Sequence, residues 1–397
     1  MTDFSKTRAA FHLPDDVIYL DGNSLGPLPV GATERMTRTM QDEWGQMLIT
    51  GWNDAGWMDQ PQHLGNRIAR LVGAETNSVV VGETLSIRIY QALDAALKMR
   101  PDRRVILSDT GNFPSDLYIA QGLIRQLGGD LELRLVAPED VMDAIDDTVA
   151  VTLLSHVDYR TARLHDMRSL TAKAHEVGAL TVWDLAHSAG ALQIALSDCN
   201  ADFAAGCTYK FLNAGPGAPA FVYAAPRLAD QISPALSGWL GHAAPFRFEA
   251  DYQPAPGINR MRIGTPPVLA MAALEAALDV YDMVQMSDLR TASITLSQRL
   301  IAGIAKHCPE LSLASPVDPA QRGSHVSFAF NHGYAVIQAL ISRGVIGDFR
   351  APNIMRFGIT PLYLSLADID RAVAEIADIL DNRIWDNPAY LKQKAVT

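Results

Sequence analysis

The chain has 397 residues, 48% hydrophobic, 19% charged and 7% aromatic, enough to bury a large core and, at ~150 residues per domain, to form two or three domains. With only 28 glycines and 22 prolines, collagen-like, low-complexity and wholly disordered chains are excluded. Lys and Arg total 33 against 44 Asp and Glu, a net charge of -11, which excludes the basic footprint of a nucleic-acid or anionic-membrane binder and favours a small-molecule partner.

Residues 1–15 mix charged and apolar side chains and carry no signal-peptide core. No apolar run approaches the ~18 residues of a membrane span, so a cytoplasmic protein is expected. Helices are predicted over 33–47 and 61–72. From 78 onward short β-branched runs at 78–81, 104–107, 131–136, 149–154 and 180–183 read as strands, most of them separated by helix-length segments such as 86–99 and 114–127. Parallel neighbours need long crossovers, so these βα units predict an α/β fold: a mainly parallel sheet sandwiched by helices. After 269 the pattern changes to helices at 269–283 and 286–307, strands at 326–330 and 355–359, and a last helix at 366–380, a smaller C-terminal α+β domain. The expected organisation is an N-terminal segment, 1–75, packing with the small domain or a dimer partner, a large domain, 76–268, and a small domain, 269–397. The three cysteines, Cys199, Cys207 and Cys308, lack CxxC spacing, which supports neither a disulfide framework nor a thiolate metal site.

Between Phe203 and Tyr223 the only charged side chain is Lys210. Apolar surroundings disfavour an ammonium, and the neutral amine is the form that Schiff-base chemistry uses. The alternative is a lysine whose stem crosses apolar surface while its ammonium reaches water. Upstream, the apolar run 179–183 ends on Asp184, with His187 just beyond. Ligands of open α/β sheets sit at the carboxyl ends of strands, where an acid can pair with a protonated pyridine nitrogen. Such an Asp can also cap a following helix. The lysine follows the acid by 26 residues, a spacing that reads as one further βα unit; together they suggest pyridoxal phosphate. Its phosphate would need a cradle, for which Gly82-Glu-Thr-Leu-Ser-Ile87 offers backbone N–H groups at a helix start and the Thr84 or Ser86 hydroxyl, although Ser and Thr are equally common as plain helix caps. Asn112-Phe-Pro-Ser-Asp116 can lay Phe113 on an aromatic cofactor, although Pro114-Ser115-Asp116 is also an ordinary helix start. His156, in Ser155-His-Val-Asp-Tyr159, has no second ligand at metal-site spacing, so no metal is expected.

Assembled, these motifs resemble the kynureninases, pyridoxal-phosphate enzymes of the class V aminotransferase group with the type I fold. The resemblance spans nearly the whole chain: Tyr19-Leu-Asp-Gly-Asn-Ser-Leu-Gly26, Phe113-Pro-Ser-Asp116, Asp184-Leu-Ala-His187, Tyr209-Lys-Phe-Leu-Asn-Ala-Gly215, Gly238-Trp-Leu-Gly-His242, and Arg356 before Pro361-Leu-Tyr363. It implies a homodimer with shared active sites that cleaves L-kynurenine, or its 3-hydroxy derivative, with water to an anthranilate and L-alanine, a step of tryptophan catabolism. By position, Lys210 resembles the family's Schiff-base lysine, Asp184 the pyridine-nitrogen partner and His187 a further cofactor contact. Leu85, Ser86, Phe113, Pro114, Ser115, Asp116, Ser155, Tyr209, Trp239 and Thr265 fall at other cofactor positions. Ser86, Tyr209, Trp239 and Thr265 are the implied phosphate contacts, with Tyr209 either a proton donor as well or only a phosphate ligand. Arg356 resembles the residue that pairs with the substrate α-carboxylate; read on its own it would be a surface charge at the start of a strand. Trp52, Trp57, His242 and Phe246 are candidates to line the substrate pocket, although aromatic residues more often serve core or interface packing. The chain departs from the family pattern at Ala162, usually Gly, and at Arg88, more often Asn, one turn into a helix expected to face the site. Rivals on the same scaffold are a cysteine desulfurase, for which neither Cys207 nor Cys308 is suitably placed, and an aminotransferase. A further rival is a non-catalytic protein keeping the fold, which retention of Lys210, Asp184 and Arg356 disfavours.

Overall fold

The computed structural model describes residues 2–392. Its larger sheet contains β1 (Val79–Val81), β2 (Val105–Asp109), β3 (Glu132–Val136), β4 (Val149–Ser155), β5 (Leu180–Asp184), β6 (Phe203–Gly206) and β7 (Phe221–Ala224), in the order β1-β7-β6-β5-β4-β2-β3. β3, β2, β4, β5 and β6 run parallel, and β7 is antiparallel to both its neighbours. The exception has a cause. The link from β6 to β7, residues 207–220, holds no helix to carry the chain back across the sheet, so the strand returns in the opposite sense. That link bears Lys210.

All strands but the edge strand β3 are buried on both faces, as covered parallel sheets require. α3 (Leu85–Lys98) buries Ile89, Ala92, Leu93 and Ala96, an i, i+3, i+4, i+7 stripe, against one face. α4 (Pro114–Leu127) starts on Pro114, whose fixed φ and missing N–H suit a first turn. The sequence differs from the fold in two places here. The expected helix between β5 and β6 is a succession of turns, because Gly190, at φ +81°, lets the chain pass tightly under Leu212 and Tyr281. The helix read over 33–47 stops as α1 (Val30–Arg38) and widens into a π turn, Thr39–Trp44; this turns Glu43 inward to accept from Arg35 Nη1 at 2.9 Å and Trp57 Nε1 at 3.0 Å. α2 (Gln60–Leu71) follows, and α5 (Met167–Glu176) lies between β4 and β5.

The smaller sheet is antiparallel, with β8 (Ser312–Leu313), β9 (His325–Ala329), β10 (Asp348–Arg350) and β11 (Ile354–Gly358) in the order β8-β9-β11-β10. α6 (Val268–Asp282), α7 (Met286–His307), α8 (Gly333–Ser342) and α9 (Leu366–Asp381) accompany it, and α1 packs on α6. The amino-terminal stretch joins the two sheets. Ile18–Tyr19 pairs in parallel with Val345–Ile346, and Leu20 O accepts from Gly358 N at 2.6 Å. Six residues on, Gly26 N donates to Tyr209 O at 2.8 Å, with the Gly26 Cα so close to Asn213 and the Lys210 carbonyl that any Cβ would collide. Among the described residues no helix is long and apolar enough to cross a membrane.

Candidate active site

The parallel strands set the first side chains. Ser155 and Asp184 end β4 and β5 and stand opposite each other in register, both buried. Asp184 Oδ1 accepts from Ala186 N at 2.8 Å and Oδ2 from Ser155 Oγ at 3.3 Å, while Ser155 Oγ also bridges to Asn112 Oδ1 at 2.7 Å. Asn112 is itself fixed by Nδ2 bonds to Ser108 Oγ and Leu153 O at 3.0 and 3.1 Å. No helix follows Asp184, so its carboxylate is not a cap. Burial raises the Asp184 carboxyl, while Lys210 and these hydrogen bonds oppose the rise.

Lys210 is half-buried, with Nζ 3.3 Å from His187 Nε2, 5.7 Å from the centre of the Phe113 ring and 5.9 Å from that of Tyr209. Phe113 is exposed and meets Tyr159 edge to face at 5.1 Å. Burial keeps the His187 imidazole well below its ordinary pKa, helped by the positive charge of Lys210, so the ring is neutral. Burial first, then Cys207, raises the Tyr209 phenol, which therefore keeps its proton. Asp116 is fully buried at the start of α4, its Oδ2 lacks any partner, and burial followed by Asp184 raises it well above the usual carboxyl range.

Leu85 and Ser86 open α3, and Pro114 and Ser115 open α4. Neither helix has a side-chain cap, and Ser86 Oγ lies 3.0 Å from Ser115 Oγ. Two uncapped helix starts and two hydroxyls thus meet at one point, an arrangement able to receive an anion. An amine, an aromatic ring, a buried carboxylate at the strand ends and these helix starts fit pyridoxal phosphate, and Asp116 Oδ2 is left as an unpaired buried polar atom at the start of α4.

Arg356 overturns the reading of a surface charge. It lies mid-strand in β11 and is 1% exposed. Nε and Nη2 donate to the two oxygens of Asp348 at 2.8 and 2.6 Å, Nη2 also to Ser24 Oγ at 3.0 Å, and Nη1 to Tyr159 O at 2.5 Å. Asp348, Ser24, Tyr159 and Asn112 are contributors that the sequence reading assigned no role.

The curated relatives decide the family. A kynureninase of Pseudomonas fluorescens is 49% identical over 98% of this chain and 95% of its own length, and one of Burkholderia mallei is 48% identical over the same shares. The chain belongs to the kynureninase family. A profile described as the kynureninase C-terminal domain matches residues 289–376. Among solved structures, the apo cysteine desulfurase of Thermococcus onnurineus has a TM-score of 0.80 at 18% identity, covering 95% of this chain and 98% of that one. A C-DES mutant with glycine covalently linked to its PLP cofactor also scores 0.80 at 18%, covering 94% and 99%. At that identity these likenesses show the fold, the type I α/β architecture of PLP enzymes. The kynureninase kinship makes this chain a pyridoxal-phosphate enzyme that hydrolyses a carbon–carbon bond of kynurenine.

The remaining positions divide. Trp239 and Thr265 are exposed on adjoining loops, and neither is hydrogen-bonded to Lys210, Ser86 or Asp184 within the described residues. Trp57 is buried, edge-on to Trp52, while His242 bonds Asp251 O and Ala244 N within its own loop. Phe246 packs edge-on against Trp239 at 5.8 Å. Arg88 corrects the expectation that it faces the site: it is buried, donating to Gly82 O, Gln91 Oε1 and Met261 O, and so braces α3 against the 257–261 turn. Ala162, at φ +64°, holds a left-handed backbone that glycine takes freely, at a cost of ~1 kcal/mol. Asp158 keeps the turn regardless, its Oδ1 accepting from Arg160 N and Thr161 N. His156 lies edge-on to Trp183, pushed down to about 3 chiefly by burial. Cys207 and Cys308 are buried, and burial raises both thiols, Cys308 up to about 12.

Proposed function

We propose that Lys210 is the catalytic base and cofactor attachment point of this kynurenine hydrolase, with Asp184, His187 and the Phe113–Asp116 loop holding the cofactor and Arg356 taking the substrate α-carboxylate. The observation that carries the reading is the kinship with curated kynureninases over nearly the full chain, joined to the position of Lys210 Nζ between His187 and the Phe113 ring. When bound, pyridoxal phosphate supplies an electron sink for the electrons released at the substrate α-carbon. Asp184, fixed by Ser155 and Ala186, presents a carboxylate to the ring nitrogen. Leu85, Ser86 and Ser115 cradle the phosphate. Lys210 would take the α-proton and pass it on within the site, so that, neutral again, it can take a proton from the attacking water, whose oxygen ends in the anthranilate carboxylate; the α-carbon regains its proton before L-alanine leaves. Tyr209, which retains its proton, returns one to the alanine fragment. Water and L-kynurenine become anthranilate and L-alanine.

A second copy of the chain completes the site. The exposed apolar side chains Trp44, Leu48, Ile49, Phe246 and Phe248 are the kind of surface that an oligomer covers, and Phe246 adjoins Trp239. We assign Trp239 and Thr265 to the phosphate end across that interface, and the enzyme to the cytoplasm. The raised, buried thiols tell against sulfur transfer by Cys207 or Cys308, since a thiolate is the nucleophile. Incubation with L-kynurenine is expected to release anthranilate and L-alanine in equal amounts, and borohydride followed by peptide mass spectrometry to place a pyridoxyl group on Lys210. Sulfide from L-cysteine without anthranilate from kynurenine, or an adduct elsewhere, would reject the assignment.

A further inference from the structure

The guanidinium of Arg356 is already occupied before any substrate arrives. Asp348 takes its Nε and Nη2 edge in a bidentate pair, Ser24 Oγ accepts from Nη2 and in turn donates to Asp348 Oδ2 at 2.8 Å, and Tyr159 O takes Nη1. Arg350 reaches the same Asp348 oxygen at 2.7 Å. Asp21, three residues before Ser24, is within electrostatic reach of Asp348, Arg356 and Arg350, and its Oδ1 is buried without a partner. The charged and titratable groups acting on Asp21 are Asp348 and Arg350 from β10, Arg356 from β11, Tyr19 from its own segment and Tyr363 from the turn beyond Gly358.

Two arginines and Asp348 carry one net positive charge. A neutral Asp21 leaves that charge for an incoming carboxylate, whereas an ionised Asp21 cancels it, and the substrate would then bring an unbalanced anion into a buried site. Burial and the neighbouring Asp348 carboxylate both oppose ionisation of Asp21, pushing it up to about 7. We propose that Asp348 is the positioning residue for Arg356 and that Asp21 sets how strongly that arginine takes the substrate α-carboxylate. The inference rests on Arg356 being the carboxylate partner, as assigned above.

The test uses the holoenzyme. KM and kcat for L-kynurenine and the inhibition constant of L-alanine, which carries the α-carboxylate without the aromatic group, are measured from about pH 6 to about pH 9 for the wild type and Asp21→Asn. The ratio of wild-type to variant KM is expected to rise from near unity at the acid end to roughly fivefold at the alkaline end, the L-alanine ratio following it and the kcat ratio staying flat. A KM ratio independent of pH overturns the proposal. Asp348→Asn is expected to raise KM and the L-alanine constant together by roughly tenfold, with partial rescue by Asp348→Glu. A loss confined to kcat overturns the positioning role. Should Asp21→Asn fail to fold, carboxyl NMR of wild-type holoenzyme with 13C-labelled aspartate decides: a carboxyl titrating near neutrality and displaced by L-alanine supports the proposal, and its absence overturns it. If Arg356→Lys leaves the L-alanine constant unchanged, the carboxylate assignment itself fails, an outcome separate from these.

Discussion

Arg356→Lys isolates what the guanidinium does beyond its charge. In the protein, four hydrogen bonds to Asp348, Ser24 and Tyr159 use four of its five N–H groups, leaving one on Nη1. A ligand carboxylate therefore gains one free charge-assisted bond and any that it wins by displacing Ser24 Oγ. Lysine keeps the positive charge but has three donors on a single nitrogen and cannot span both Asp348 oxygens while also reaching the substrate. Loss of one charge-assisted hydrogen bond is worth ~1.5–3 kcal/mol, which is roughly a 10- to 150-fold fall in kcat/KM. Initial rates of anthranilate formation give the value, thermal melts establish that the variant is folded, and L-alanine inhibition reports the ground state. A variant with kcat/KM and L-alanine affinity within about twofold of the wild type would refute the assignment, because a group holding the carboxylate by this geometry is not dispensable.

Ser155→Ala removes the hydroxyl between Asn112 Oδ1 and Asp184 Oδ2, leaving both acceptors short of a donor. It is expected to destabilise by ~1–2 kcal/mol in urea and to weaken pyridoxal phosphate binding, read by absorbance titration of the apoprotein. The buried imidazoles His156, His187 and His325 all have pKa values lowered by burial, so protons bind the unfolded chain first. Their contribution to stability is complete above the ordinary value of 6.5 and is lost as pH falls from there toward the folded values, at up to ~1.4 kcal/mol per pH unit for each ring. Urea unfolding of the apoprotein should show that slope below pH 6.5, and His156→Gln should reduce it; a flat profile there would show the rings to be charged in the fold.

The legible parts of the fold were those with local signals. β4 and β5 are continuous runs rich in β-branched residues, and α7 carries its own periodicity from 286 to 307. β6, Phe-Ala-Ala-Gly, is short and half alanine, and β7, Phe-Val-Tyr-Ala, has strand-forming residues but only four positions, too few to show a period; the direction of β7 depends on a connection that only the folded chain defines. In the site, Lys210 and Asp184 stood out because each is an isolated charge in apolar sequence. Arg356 did not. What buries it is Asp348 across an antiparallel register and Ser24 from more than 300 residues away, neither of which leaves a trace around position 356. Arg88 misled for the converse reason: a helix position predicts a face, whereas its guanidinium went to backbone carbonyls of the 82 and 261 turns.

The stretch from Ile18 to Gly26 is stitched to the smaller sheet at one end and to the carbonyl beside Lys210 at the other. It therefore works as a tether of fixed length, and any swing of the smaller sheet pulls on the loop that carries the amine. Trimming the amino terminus past residue 24 would cut that tether and remove the Ser24 hydroxyl from Arg356, so the amino-terminal stretch supports the proposed site as much as the middle of the chain does.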